Sequence, residues 1–242
     1  MIIEKCKRTI CPACGLNQPT EASRIWCKSC GLAWEPVIGD SYPHHSIPLD
    51  HYEGEPSIEF DKTEPKIARN IKGDSLHFWD SRIKAALKHT SKRDMFLEIG
   101  FGGTDILDFV VASKEWKRIA GIELCGMYVA CARSKGYEAY WRDVSLEPKP
   151  LDTLAGACNL IVINEVMEHV RYPVDFLTGA RKYLAPDGVL WVSFAMYEGR
   201  EKLSKGESQY WTKKAIETVA KKAGLTIIET EQSYQTLLVS FK

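Results

Sequence analysis

Beyond about residue 90, short apolar runs alternate with stretches whose apolar residues recur every three or four positions. The runs read as buried strands and the three-to-four repeat as amphipathic helix. Strands are predicted over Met95–Ile99, Arg118–Ile122, Tyr137–Trp141, Leu160–Ile163 and Val189–Phe194. Between them lie predicted helices over Thr104–Ser113, Gly126–Lys135 and Val174–Leu184, the last ending at a Pro186-Asp187-Gly188 turn. Thr104-Asp105 has the composition of a helix cap. A final helix over Thr212–Ala223 stops at Gly224, and two closing strands, Leu225–Thr230 and Tyr234–Phe241, meet through a short Glu-Gln-Ser turn. Strands alternating with helices imply an α/β fold, a doubly wound and mostly parallel sheet, and the adjacent last pair adds an antiparallel edge strand.

Upstream the pattern changes. Leu76, Trp79, Ile83, Ala86 and Leu87 recur at helical spacing, which predicts a helix packed beside the first strand, with Asp80, Arg82 and Lys84 on its solvated face. Residues 36–75 carry Pro36, Pro43, Pro48, Pro56 and Pro65 and read as an extended connector. His44, His45 and His51 lie there without metal-ligand spacing and are read as surface residues. The chain divides into residues 1–40, a connector with one helix at 41–90, and an α/β domain at 91–242.

The first of these segments has its own chemistry. Cys11-Pro12-Ala13-Cys14-Gly15 and Cys27-Lys28-Ser29-Cys30-Gly31 form two C-x₂-C-G knuckles separated by twelve residues. Four thiolates suit a closed, tetrahedral, structural zinc ion (Zn²⁺), and the glycines permit the turn that aims two sulfurs at one ion. An iron–sulfur centre or two disulfides are the alternatives. Trp26 and Trp34 flank the second knuckle and are expected to pack a small zinc ribbon. Such a ribbon can grip a substrate or simply staple a segment too small for its own core. Cys6, Cys125, Cys131 and Cys158 lack ligand spacing and read as buried structural thiols.

Composition narrows the partners. A hydrophobic share of 45% over 242 residues is ample for a packed core, and the net charge is zero. Residues 40–80 carry nine acidic against four basic groups, a segment that would repel a phosphate backbone. Nucleic acid is therefore not an expected partner. No apolar stretch reaches the length of a membrane span, and Met1–Arg8 lacks the apolar core of a signal peptide, so a cytoplasmic location is expected.

The candidate site lies at the strand tips. Glu98-Ile99-Gly100-Phe101-Gly102-Gly103 ends the first strand of the domain, and Glu123 ends the second. Glycines let a ligand approach the backbone, and an acid at the second tip can accept hydrogen bonds from a ribose. The spacing departs from the dinucleotide G-x-G-x-x-G, and Asp105 at the helix start would repel a pyrophosphate. An adenosine cofactor without phosphates fits better.

With the acid before the glycines, Arg142-Asp143 after the third strand, Asn164-Glu165-Val166-Met167-Glu168-His169 after the fourth and Pro186-Asp187-Gly188 before the fifth, residues 95–242 resemble class I S-adenosylmethionine-dependent methyltransferases, a Rossmann-like fold. The whole chain is similar to a narrower bacterial group that opens with two cysteine knuckles and a proline- and tyrosine-rich connector, often tied to sugar or secondary-metabolite pathways. The resemblance implies an enzyme that uses S-adenosyl-L-methionine to methylate a small-molecule acceptor, an oxygen of a sugar or secondary metabolite. It implies that Gly100, Gly102 and Gly103 face the methionine part, with Glu98 near its amino group. Glu123 would hold the ribose, Asp143 the adenine amino group, and Val144 would pack on the ring. Asn164 and Glu165 would line the methyl-transfer side. Thr104 stands where the family motif has its third glycine.

His169 is the candidate general base for an oxygen acceptor, since imidazole titrates near neutrality. Glu165, Glu168 and His169 fall at helical spacing, so Glu165 can orient the ring or the three can hold a cation; a helix-start role for His169 is the plainer alternative. Tyr197, Tyr210 and Trp211 can stack on an acceptor ring, or Tyr210 and Trp211 can staple the last helix to the sheet. Two other readings stay open: an RNA methyltransferase gripping its substrate with the ribbon, and a binding module without catalysis.

Overall fold

The computed structural model describes residues 9–18, 25–34, 83–146, 149–196, 209–233 and 236–242. The connector, its histidines, Cys6 and Tyr197 lie outside these residues. The elements are β1 (Ile25–Trp26), β2 (Ala33–Trp34), a helix α1 described over 83–87, β3 (Met95–Ile99), α2 (Asp105–Ser113), β4 (Arg118–Glu123), α3 (Gly126–Ser134), β5 (Glu138–Trp141), β6 (Cys158–Ile163), α4 (Pro173–Arg181), β7 (Leu184–Ala195), β8 (Gln209–Tyr210), α5 (Lys213–Ala223), β9 (Ile227–Ser233) and β10 (Thr236–Phe241). No helix among the described residues is long and apolar enough to cross a membrane.

Seven strands form one sheet in the order β5-β4-β3-β6-β7-β10-β9. The strands from β5 to β7 run parallel, and β10 runs antiparallel to both β7 and β9. This is the expected doubly wound sheet with its antiparallel edge. Side chains alternate across each strand, so β3 sends Leu97 and Ile99 into one layer and Phe96 into the other. Phe96 lies in the layer with Ile83, Leu107 and Val129 of α1, α2 and α3, and Leu97 in the layer with Leu177 of α4 and Ile216 of α5. The order of succession reverses between β3 and β6, with β4 and β5 added on one side and β7 on the other, and open parallel sheets bind ligands at such a switch point, beyond the C-terminal strand ends.

Several boundaries differ from the sequence pattern for identifiable reasons. Pro186-Asp187-Gly188 is not a turn before a strand but lies within β7, where the register to β6 slips between Cys158 and Leu160. A Cβ on Gly188 would stand 2.4 Å from the Cys158 carbonyl oxygen, so the irregularity needs glycine. Glu231-Gln232-Ser233, expected as a turn, extend β9 and pair with Thr236–Leu238. Helix α5 follows its pattern: Ala215, Ile216, Val219, Ala220 and Ala223 are buried, Thr212 accepts from the Ala215 amide, and Gly224 closes the helix at φ 71°.

The cysteine knuckles are built into this fold. β2 pairs with β1 on one side and β8 on the other, giving a three-stranded sheet of 25–26, 33–34 and 209–210. Cys11, Ile25, Leu32 and Trp34 share a buried cluster with Trp211, Ile216 and Val219. The Thr212 hydroxyl that caps α5 also donates to the Cys30 carbonyl at 2.8 Å. A segment this short cannot bury enough surface alone, and here the sheet and α5 supply the missing core. Trp34 packs as expected, whereas Trp26 is 40% exposed.

Candidate active site and cysteine centre

The glycine turn after β3 is held from below and from the side. Phe101 is buried, and its ring fills the space over Gly121 of β4, where a Cβ would stand 2.5 Å from Phe101 Cδ1. Gly100, at φ 78°, donates to the Ile122 carbonyl at 2.7 Å, and a Cβ there would come within 2.4 Å of Val166 Cγ2. The turn therefore lies against the segment that follows β6. Gly102 also takes positive φ, with open space around it, while Gly103 is exposed.

Thr104 takes φ 73°, the left-handed conformation for which the family motif has glycine. A β-branched residue there costs about 1–2 kcal/mol. Its hydroxyl does not cap α2, contrary to the sequence expectation. It donates instead to Asp108 Oδ2 at 3.1 Å and accepts from Lys135 Nζ at 2.6 Å, and Tyr137 donates to the other Asp108 oxygen. These partners secure a backbone that glycine would reach without cost.

Three carboxylates line the sheet edge. Glu98 is 2% exposed, and its Oε2 has no hydrogen-bond partner. Burial, then the charges of Glu123 and Asp105, push its carboxyl well above the ordinary value. Glu123 closes β4: Oε2 accepts from Gly102 N at 3.0 Å, and Oε1 accepts from Leu124 N at 2.8 Å and Cys125 N at 2.9 Å. Asp143, beyond β5, accepts through Oδ1 from the amide and the hydroxyl of Ser145. Val144 is buried, its carbonyl and Cγ1 pressed on Gly179 of α4. A recess lined by Val144, Ser145, Asp175, Thr178 and Lys182 adjoins the Asp143 turn.

The segment after β6 differs from expectation. Residues 165–170 form a bend and a turn, not the start of a helix, so helical spacing does not place Glu165 and His169 on one face. Glu165 sits at φ 51° and is exposed; its amide donates to Ser193 Oγ at 2.7 Å. Asn164 and His169 are half-buried, and the His169 amide donates to the Val166 carbonyl at 2.9 Å. Glu168 is buried beneath the turn. Tyr210 and Trp211 are fully buried, with the Trp211 ring edge-on to Phe194 at 5.1 Å, which makes them the staple and not an acceptor platform.

Two participants escaped the sequence pattern. Ser193 reaches the backbone after β6 from β7, and Trp141 stands beside Glu123 across β4 and β5, its indole donating to the Leu124 carbonyl at 2.7 Å. Each position became visible only with the strand register.

In the knuckles, all four sulfurs of Cys11, Cys14, Cys27 and Cys30 lie within 4.8 Å of one another. Cys11 and Cys30 sulfurs are 3.7 Å apart, Cys14 and Cys27 3.3 Å. Four sulfurs about 2.3 Å from a tetrahedral ion stand about 3.8 Å apart, so the set fits such an ion. The hydrogen bond between the Cys11 and Cys30 sulfurs lowers the Cys11 thiol and raises that of Cys30. Cys158 is buried, while Cys125 and Cys131 are half-buried on α3 and its cap.

The profile of a methyltransferase domain matches residues 71–230. The chain belongs to this methyltransferase family. Similar solved structures include an S-adenosylmethionine-dependent methyltransferase from Clostridium acetobutylicum, 11% identical with a TM-score of 0.56 over 72% of this chain and 93% of that one. A SAM-dependent methyltransferase from Aquifex aeolicus is 16% identical with a TM-score of 0.56, over 73% and 95%. A chain in the complex of the Haloferax volcanii Trm112 methyltransferase activator is 15% identical with a TM-score of 0.52, over 70% and 93%. No curated protein matches the sequence. The enzyme is thus a methyltransferase dependent on S-adenosylmethionine, on the fold that its own sheet order displays.

Proposed function

We propose that this methyltransferase moves a methyl group from S-adenosylmethionine to an oxygen of a small molecule, a sugar or secondary metabolite, beyond the ends of β6 and β7. The observation that carries the cofactor's placement is Glu98, a buried carboxyl with an unpartnered oxygen under the glycine turn. A buried acid of this kind suits an ammonium group. Glu98 on β3, Glu123 at the end of β4 and Asp143 just beyond β5 follow across three adjacent strands, which are spaced by about 4.8 Å. That order suits, in turn, the amino group, the ribose hydroxyls and the adenine amino group of one extended ligand. Gly100, Gly102 and Gly103 would give it backbone to lie on. Val144 supports the adenine side from beneath, its side chain committed to α4.

When bound, S-adenosylmethionine supplies a methyl carbon on a positively charged sulfur, which an oxygen nucleophile attacks in line. The protein's part is to hold the two reactants in that alignment. Asn164, Glu165 and His169 form the acceptor wall in this reading. Ser193 fixes the backbone of Glu165, and His169 takes the acceptor's proton; its ring comes from a turn that is itself held in place. A zinc ion in the Cys11, Cys14, Cys27 and Cys30 set is structural, because a four-sulfur site leaves no position for substrate.

The test uses tritiated S-adenosylmethionine with a panel of sugars and phenolic metabolites beside total RNA. Label in a small molecule, with transfer lowered by His169→Ala at unchanged cofactor affinity, is the expected result. Label in RNA, with binding that weakens steeply in salt, would overturn the acceptor assignment.

A further inference from the structure

Gln209 is fully buried at the start of β8, 40 residues beyond the turn after β6 that carries His169. Its side-chain amide donates to the Met167 carbonyl at 2.7 Å and to the Val170 carbonyl at 2.9 Å. The two hydrogens of one NH₂ group thus hold both ends of the turn formed by Met167, Glu168 and His169. Met167 and Val170 are themselves buried. The opposite orientation of the amide would set its oxygen against two carbonyl oxygens, so the direction is fixed by chemistry.

Gln209 is itself held from both sides. Its strand pairs with β2 of the cysteine module, Trp34 opposite Gln209 and Ala33 opposite Tyr210. Next to it, Trp211 donates to the Ala195 carbonyl at the tip of β7. Thr212 then ties α5 to the Cys30 carbonyl within the second knuckle. A two-residue strand has little stability of its own, so its position depends on these neighbours.

We propose that Gln209 is a positioning residue for the acceptor wall, and that the cysteine module serves the reaction by holding β8, and through Gln209 the His169 turn, in place. The module's task is then internal support. The inference rests on the reading of residues 164–169 as the acceptor wall.

The decisive variant is Gln209→Met, which keeps the volume and removes both donors. The reporter is the His169 amide, whose hydrogen bond to Val166 breaks when the turn opens. Exchange is followed by NMR on the full chain, with the Gly100 and Tyr183 amides as controls in the glycine turn and after α4. In Q209M the His169 amide exchanges about tenfold faster or more, the effect of losing one buried hydrogen bond, and the controls hold. A chelator that strips the cysteine centre has the same local effect. For the acceptor found in the panel, kcat falls about tenfold or more in Q209M, while the KM for S-adenosylmethionine holds. An unchanged His169 amide in Q209M, or acceleration spread equally over the controls, would overturn the positioning role. Chelation that loosens residues 25–34 but leaves His169 unchanged would overturn the coupling to the module. S-adenosylhomocysteine titrated into the same wild-type sample separates the two readings. Failure to bind it sinks the proposed function, while the exchange result still decides the clamp.

Discussion

Replacing Glu98 by Gln should change how stability depends on pH, and the size of the change follows from where the carboxyl sits. Glu98 is 2% exposed, and burial with the nearby charges of Glu123 and Asp105 raises its pKa well above 4.5. Above pH 4.5 the unfolded chain gives up this proton while the folded chain keeps it. Stability therefore falls as pH rises, from the unfolded value up to the folded one. Within that interval this one group can remove at most about 1.4 kcal/mol per pH unit, the linkage of a single proton. A Gln at 98 has the same shape and no proton to lose, so the difference between the two proteins grows with pH by up to that amount. All other groups titrate alike in both and cancel. For a chain of this size the differential shift is at most about 3–6 °C in Tm per pH unit, readable by calorimetry or denaturant titration at each pH. Parallel pH–stability curves for the two proteins would refute the reasoning, because they would mean that Glu98 ionises as easily folded as unfolded. The same carboxyl should lose its proton when a cation binds beside it. S-adenosylmethionine binding to the wild type should release protons at pH values where the buried carboxyl is still protonated, seen as a calorimetric heat that varies with buffer ionisation enthalpy, and Glu98→Gln should abolish that release.

Other expectations are as direct. Gly100→Ala places a methyl 2.4 Å from Val166 Cγ2 at φ 78° and should cost about 2–4 kcal/mol in denaturant unfolding; adding Val166→Ala should recover part of it, and simple additivity would count against the contact. Glu123→Ala removes the acceptor of three backbone amides and the acid proposed to hold the ribose, and should weaken S-adenosylhomocysteine binding about 100-fold or more by calorimetry. The purified protein should carry one metal ion per chain, and cobalt substitution should give the absorption of a four-thiolate site that Cys30→Ser loses together with thermal stability; a metal-free protein of equal stability would refute the centre.

Much of this protein is legible in its sequence because the physical signals are local. Apolar runs and helical periodicity depend on neighbours within a turn or two, so the parallel sheet, its order of elements and the cap Gly224 follow from pattern. The C-x₂-C-G spacing likewise fixes the chemistry of the cysteine cluster, because two sulfurs of one knuckle must converge wherever the knuckle lies. Glu98 and Glu123 are marked by their places at strand ends. What pattern could not supply is set by contacts between distant segments. Residues 165–170 have helical spacing but form a turn, since the Ser193 hydroxyl and the Gln209 amide take backbone groups that a helix would have used internally. Thr104 holds a glycine conformation because its hydroxyl accepts from Lys135 and donates to Asp108, thirty-one and four residues away. The cysteine module reads as a separate appendage, yet it shares a sheet with residues 209–210, a pairing across some 175 residues that no local periodicity records. The sequence by itself determined the elements, the layers and the chemical identity of the candidate ligands. Tertiary structure alone decided which backbone groups were left for side chains to hold, because hydrogen-bond satisfaction in the interior is settled by whatever the packed neighbours offer.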